Sequence, residues 1–279
     1  MSVEQVLEQA LGLADEGDWE RMADLLRGNL ADHAGNPAIH CWLGVAEREL
    51  GLEGLAYERF KRALALRPED PYVLATAGNG VAAFDDPEAE LALRTAALMA
   101  PEVAVARLLY GAYLAREGLL LDALAELEAA RNLDQDDAQI AYELGVARCL
   151  AEDLEGSVDS LSDAARLDPE DGFGRITLGL VLLEADRWDE ALNELSEGAY
   201  REPHDVEAQL MASLAARAVD HEALAYEMLE RGRMRASQED VVLLTAVEER
   251  LDAGPSAARS LLTDEMAPDQ LRRRLQVRP

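Results

Sequence analysis

Leu178-Gly179-Leu180-Val181, followed by Trp188, Ala191, Leu195, Gly198 and Pro203, is the stretch that decides the fold, because its opening recurs. Leu144-Gly145 stands 34 residues earlier, Tyr110-Gly111 another 34 before that, and Leu43-Gly44 begins the same phrase nearer the N-terminus. A fixed period of 34 holding two amphipathic helices is the mark of a helical repeat array, in which each pair buries its apolar side against its neighbours. Small residues recur at two later places in the repeat, where two helices must approach closely; Ala63, Ala96, Ala130 and Ala164 fill the second of them. Five residues beyond, Pro68, Pro101, Pro169 and Pro203 end the second helix, since proline cannot donate to the preceding turn, while Gln135 takes this place in the fourth repeat.

Laid out in this way, the repeats span 3–36, 37–69, 70–103, 104–137, 138–171, 172–205 and 206–239, the second one residue short, and 240–279 form a degenerate repeat and cap. The pattern resembles the tetratricopeptide repeat, whose motif runs Trp-x-x-Leu-Gly-x-x-Tyr, then Gly, Tyr, Ala, Phe, Ala and Pro. The second repeat matches with Leu43-Gly44, Gly51, Ala56, Phe60, Ala63 and Pro68; the sixth matches with the stretch quoted above, Gly198 replacing an alanine. The first departs with Ala10 in place of Gly and no Pro, and the seventh with Ser213, Gly232 and Ser237 at the motif places. The resemblance implies an all-α, right-handed superhelical solenoid of about seven tandem helix-turn-helix repeats with a C-terminal capping helical segment. Abundant Ala and Leu and an aromatic content of 5% agree with closely spaced helices and leave little material for strands.

The formal charge is −30, and it is unevenly placed: residues 231–279 hold nine basic and eight acidic groups of whole-chain totals of 26 and 56, so the repeats carry the acid. A field of that sign repels phosphate backbones and anionic lipid, which disfavours nucleic acid and membrane surfaces as partners and favours a basic protein segment. The same acids also keep an elongated chain dispersed, so charge alone names no ligand. The acidic start Met1-Ser2-Val3-Glu4-Gln5 has no apolar run behind a basic segment, and the longest uncharged apolar stretch, Val241 to Val247, is far shorter than the roughly 20 residues of a membrane span. A cytoplasmic protein is expected. One lysine, Lys61, against 25 arginines suggests a GC-rich bacterial source.

Chemistry is hard to find in this sequence. Cys41 and Cys149 lie too far apart to read as a ligand or redox pair, and are expected as free buried thiols. His33, His40, His204 and His221 fall in loops, turns or a helix start. The acidic loops Asp134-Gln135-Asp136-Asp137 and Asp168-Pro169-Glu170-Asp171-Gly172 lack the ligand spacing of a calcium loop; their acids face the positive end of the next helix instead. No nucleophile stands with a base, and the repeat count leaves about 40 residues outside the array, so no catalytic residue, cofactor or metal is expected and the chain is read as no enzyme.

In the resembled family the first helices line a concave face, and places 2, 5, 9 and 12 share one stripe through their three-to-four spacing. That rule nominates Leu7 and Leu11 in the first repeat, Trp42 and Val45 in the second, and Leu74, with Gly78 beyond it, in the third. It continues with Leu108, then Tyr142 and Val146, then Phe173, Ile176 and Leu180, and ends with Leu210 and Met211. Trp42, Tyr142 and Phe173 are the expected exposed anchors, with Glu4, Glu8, Asp15, Glu49, Glu143 and Glu184 on the rim. Family members that capture the acidic C-termini of heat-shock chaperones set Lys, Asn and Arg on this face; the stripe read here has no lysine or asparagine, which disfavours that client.

The sequence therefore points to a scaffold or assembly chaperone holding an apolar or basic amphipathic segment of a protein partner. The alternative is a structural or self-associating subunit of a larger bacterial complex, of the secretion, pilus or membrane-enzyme assembly kind. Tight packing of the first helices on one another would close the groove. The basic segment Leu271-Arg272-Arg273-Arg274-Leu275 reads as a cap, but matches the acidic groove in sign and could dock there, in its own chain or in a neighbour as a homo-oligomer.

Overall fold

The computed structural model describes residues 1–279, and every regular element in it is helical. The chain divides into two units, Met1–Asp134 with Arg278–Pro279, and Gln135–Val277.

The N-terminal unit is four helix hairpins: α1 (Val3–Asp15) with α2 (Trp19–Asn29), α3 (Pro37–Glu49) with α4 (Glu53–Ala65), α5 (Pro71–Ala82) with α6 (Glu88–Met99), and α7 (Ala104–Arg116) with α8 (Leu120–Leu133). First helices pack on first helices, α1 on α3, α3 on α5 and α5 on α7, while each second helix up to α6 packs on the first helix that follows it. The C-terminal unit has three hairpins, α9 (Ala138–Leu150) with α10 (Leu154–Leu167), α11 (Gly172–Glu184) with α12 (Trp188–Arg201), and α13 (Val206–Ala218) with α14 (Glu222–Arg235). Then α15 (Val241–Ala253) lies on α13 and α14, and a turn at Gly254 and Pro255 reverses the chain into α16 (Pro255–Leu261). A π-helical turn, Leu262–Met266, leads from α16 into α17 (Ala267–Leu275). No helix is long and apolar enough to cross a membrane.

Local chemistry sets the helix boundaries. The side chains of Asn36, Asp70, Asp137, Asp171 and Asp205 each accept a backbone N–H in the first turn of the helix they precede, satisfying donors that have no intrahelical partner. The hairpin turns are marked by seven left-handed residues, Gly17, Gly51, Asp85, Gly118, Glu152, Asp186 and Asp220, with φ between 52° and 76°. They stand 34 residues apart except for 33 between Asp85 and Gly118. In six of these turns the next residue donates its N–H back across the left-handed residue, as Leu52 does to Glu47 O at 2.8 Å and Arg187 to Leu182 O at 2.9 Å, the closure typical of a helix C-terminus. The third turn closes through Asp85 N–H on Ala82 O at 3.1 Å, and Asp86 then gathers the Tyr57 hydroxyl at 2.8 Å and Lys61 Nζ at 3.0 Å.

The recurring glycines mark where helices touch within a hairpin. A Cβ on Gly111, Gly145 or Gly179 would stand 2.7, 2.6 or 2.7 Å from the Cγ of Leu127, Leu161 or Leu195, and one on Gly44 would stand 2.8 Å from the Phe60 ring. In the third hairpin this place belongs to Gly78, whose Cβ would meet Ala92 Cβ at 3.0 Å and Leu93 Cγ at 3.2 Å. Gly78 therefore faces α6 and not the stripe to which its sequence position assigned it. Partners lie 16 residues apart in the other four pairs but 15 apart between Gly78 and Leu93, so the missing residue falls between Asp85 and Leu93, inside the third hairpin.

Candidate partner-binding faces

The one-residue shift rearranges the stripe on α5. Leu74 lines a cleft with Leu64 of α4 and Leu91, Ala92, Thr95 and Met99 of α6, which corrects its assignment to the groove. Asn79 takes the equivalent stripe position. Its Nδ2 donates to the terminal carbonyl oxygen of Pro279, so this face does present an asparagine. Nearby, the Arg278 guanidinium lies 5.3 Å from the Tyr113 ring centroid and its Nη2 is 3.0 Å from Glu117 Oε1.

The other nominated residues of the N-terminal unit differ in access. Leu11 is 40% exposed, and Leu7 and Trp42 are half-buried, whereas Val45 and Leu108 are buried. The Trp42 ring stands 5.8 Å from that of Tyr72, itself 43% exposed, which makes an accessible aromatic pair on adjacent first helices α3 and α5. Cys41, beneath this pair, is fully buried; its thiol lies 3.7 Å from Val73 O, and burial raises its pKa strongly.

In the C-terminal unit the nominated residues are inside the core except Phe173, which is half-buried at its edge. Val146, Ile176, Leu180, Leu210 and Met211 have no exposure, and Tyr142, expected as an exposed anchor, retains 7%. Glu143, expected on the rim, is buried, with Gln139 Nε2 3.4 Å from its carboxylate. Much of the covering comes from the chain itself: α16 and the π turn lie on α13, and α17 lies on α11, so that Leu261, Leu262, Met266, Leu271 and Leu275 join one continuous apolar core with Ile176, Leu210 and Met211.

The docking of α17 is polar as well as apolar. Arg274, 5% exposed, places its guanidinium 4.4 Å from the Phe173 ring centroid, donates Nη1–H to Phe173 O at 3.2 Å and pairs through Nη2 with Asp205 Oδ2 at 3.1 Å. Burial pulls the Arg274 pKa below its ordinary value, and the Asp205 charge opposes that shift. Asp205 is also the cap of α13, accepting Ala208 N–H at 2.9 Å. One turn back, Gln270 donates to Glu207, and Arg273 Nη1 lies 3.4 Å from the same carboxylate. Phe173 in turn stands 6.1 Å from Tyr142. Asp205 and Glu207 escaped the sequence reading because it weighed apolar stripe positions, although Asp205 was legible as a helix cap.

No family model matches this sequence, and no curated protein matches it. Solved structures do. A chain of the APC/C hetero-tetramer Cut9-Hcn1 superposes over 95% of this chain at a TM-score of 0.68 and 18% identity, with 48% of that chain covered, so the present chain spans about half its length. PilW, a widely conserved type IV pilus biogenesis factor, matches 72% of this chain and 93% of its own at a TM-score of 0.60 and 16% identity. A tetratricopeptide repeat protein from Parabacteroides merdae covers 91% and is itself covered to 98%, at a TM-score of 0.58 and 13% identity. At such identities the likeness concerns architecture, and it meets the 34-residue spacing of caps, left-handed turns and helix-contact glycines already described: the chain has the fold of the tetratricopeptide-repeat proteins.

Proposed function

We propose that the chain is a non-enzymatic cytoplasmic scaffold or assembly chaperone whose first-helix faces hold an apolar or basic amphipathic segment of a protein partner. The observation that supports this is α17, a basic amphipathic helix seated on α11 through two leucines and an arginine. A face that takes such a segment from its own chain has the shape and charge to take one from elsewhere. In the N-terminal unit the corresponding surface around Leu11, Trp42 and Tyr72 is accessible, and its aromatic pair is the natural anchor. The test is selection from a displayed library of short peptides on the whole chain and on Trp42→Glu, whose half-buried side chain permits the change with wild-type helical circular dichroism. Enrichment of apolar-basic sequences that Trp42→Glu loses supports the reading. Equal enrichment on both proteins, or none, overturns it.

A second reading, a subunit built permanently into a larger assembly, draws on the outer surface of the N-terminal unit. Leu98 and Leu121 are 74% and 86% exposed, and Leu98 lines a cleft with Asp122, the neighbour of Leu121. Exposed leucines of this kind mark association surfaces when they cluster. Sedimentation of the wild type against Leu98→Glu/Leu121→Glu tests it: loss of a self-associated species supports the reading, and a monomer in both discards self-association through this surface.

A further inference from the structure

The surroundings of Arg274 form an arginine-reading site. Its parts come from three first-helix positions: the Phe173 ring and carbonyl at the start of α11, the Asp205 carboxylate at the cap of α13, and Glu207 two residues on in the first turn of α13. An aromatic face, a carbonyl and a carboxylate converging on one planar cation select guanidinium over ammonium, because only the former stacks and donates from a fork. Glu207 extends the site toward the preceding turn of the bound helix, where it takes a glutamine side chain and a second arginine.

The occupant is weakly suited to permanence. Two of its five buried residues, Gln270 and Arg274, carry polar heads, and Arg274 Nε is buried without a hydrogen-bond partner. By comparison α11 buries Ile176, Leu178, Leu180, Val181, Leu182 and Leu183. A desolvated cation recovers its hydration loss only through full pairing, so a helix held by one is easier to dislodge than one held by leucines alone. The π turn Leu262–Met266 also breaks the regular ladder directly before α17, leaving it a separable terminal segment of the α16–α17 rod.

We propose that α17 is an exchangeable resident of this site, and that the partner it yields to is a helix with the pattern Gln-apolar-x-x-Arg-apolar, its arginine seated between Phe173 and Asp205. This rests on the reading that first-helix faces bind partner segments, and adds which face, which residue type and what must leave. Tethering gives α17 an effective concentration of the order of mM, so a free peptide competes poorly with it until the resident is weakened, and a natural partner wins by adding contacts that α17 lacks.

The experiment uses the full chain and a labelled peptide of residues 262–279. Leu271→Asp weakens the resident and leaves the receptor face intact; it is expected to bind the peptide at least about tenfold more tightly than the wild type does. The same peptide carrying Arg274→Lys is expected to lose about tenfold, since a point cation cannot use the fork. Equal binding by wild type and Leu271→Asp, or equal binding of the two peptides, overturns the proposal. Should Leu271→Asp fail to keep wild-type helix content, the wild type answers alone: excess peptide speeds amide exchange across Ala267–Leu275 while α11 and α13 stay protected, and unchanged exchange overturns it. Peptide exchange here without any selection at Trp42 would keep this site and discard the general reading of the N-terminal face; selection at Trp42 with α17 immobile would do the reverse.

Discussion

The first-helix faces of the two units begin from one sequence pattern and differ in how far it is covered. In the N-terminal unit Leu11 and Tyr72 stay 40% and 43% exposed, with Trp42 half-buried beside them; in the C-terminal unit Ile176, Leu180, Leu210 and Met211 have no exposure at all. The stripe residues do not explain the difference, since both faces present leucines and an aromatic pair, Trp42 with Tyr72 and Tyr142 with Phe173. What differs is the covering segment: α16, the π turn and α17 bring Leu261, Leu262, Met266, Leu271 and Leu275 onto one face. An apolar stripe on a repeat helix thus states a demand for burial, and a distant part of the chain decides whether the demand is met within the fold or left for a partner.

The hardest test of this contrast separates the stabilities of the units. Phe60 is 1% exposed in the N-terminal unit, and its ring sits against Gly44 and Gly80, neither of which has a Cβ to strike it. Phe60→Ala should remove about 3–5 kcal/mol from that unit through lost transfer free energy and a cavity. Trp19 and Trp42 report on the N-terminal unit and Trp188 on the C-terminal one, so denaturant unfolding followed by fluorescence in single-tryptophan backgrounds can read the two apart. A large fall at Trp19 and Trp42 with Trp188 unmoved sharpens the contrast; equal falls break it, by showing that the units share one cooperative transition.

The covered face offers the next largest effect. Arg274→Ala leaves the Asp205 carboxylate and Phe173 O facing a gap and forfeits the stacking on the ring, which should loosen α17 by about 1–3 kcal/mol. Arg274→Leu fills the space but still leaves the Asp205 carboxylate without its cation, so it should loosen α17 less than the alanine variant does and more than the wild type. Amide exchange of Ala267–Leu275 measures both. If the leucine variant loosens as much as the alanine one, the arginine is needed for docking and the face is more selective than its leucines suggest.

The extent to which these features were legible follows from how local each one is. The caps at Asp137 and Asp171 and the tight contacts at Gly44, Gly111, Gly145 and Gly179 are set by a residue and its near neighbours, and the sequence showed them as acidic loops and a repeated Gly. The third hairpin misled because Ala, Val and Gly fill most of α5 from Val73 onward, so a shift by one residue leaves much of its apolar pattern in place. Leu74 and Gly78 were consequently placed on the stripe where Ala75 and Asn79 belong. The left-handed residue Asp85, with Gly51 and Gly118 on either side, carried the phase, but an aspartate announces a turn less loudly than a glycine does. The landing place of α17 was not legible, because Leu271-Arg-Arg-Arg-Leu275 satisfies equally the description of a polar end cap and of a ligand for an acidic groove. The choice rests on Phe173 and Asp205, about 100 and 70 residues away in the chain.

The cysteines give a gentler probe of each unit. Burial raises the Cys149 thiol pKa in the C-terminal unit from 9.0 to about 11. The native state therefore prefers the protonated thiol: its contribution to stability is whole below pH 9.0 and fades as pH rises toward 11. At pH 8 the thiolate fraction should be about a hundredfold below that of the unfolded chain, and labelling slower by a similar factor. Cys41 is fully buried in the N-terminal unit and reacts only when that unit opens. Labelling of Cys41 as fast as that of an unfolded peptide would show the N-terminal face to be open well beyond its aromatic pair.

The smallest effect concerns the turns, where the units also differ. Within the hairpin turns the N-terminal unit uses Gly17, Gly51 and Gly118 at three of four left-handed positions and Asp85 at the fourth, and the C-terminal unit uses Glu152, Asp186 and Asp220 at all three; outside these turns Arg67 and Gly254 also have positive φ. A side chain in the left-handed region costs roughly 1 kcal/mol against glycine, so the C-terminal turns hold strain that the glycine-bearing N-terminal ones avoid. Two of the acids recover part of it: Asp186 accepts the Trp188 indole N–H at 2.7 Å, and Asp220 pairs with Arg217 at 3.1 Å. Glu152 is exposed and has φ 63°, and its carboxylate anchors neither an indole nor an arginine of its turn. Glu152→Gly should therefore stabilise the C-terminal unit by about 0.5–1 kcal/mol, and Asp186→Gly should gain less or nothing because the indole loses its acceptor. The Trp188 midpoint in denaturant reads the first directly, and the peptide signal at far-ultraviolet wavelengths reads the second. Equal gains from both would mean that the hydrogen bond to Trp188 contributes nothing, and that the acids are tolerated in these turns rather than used by them.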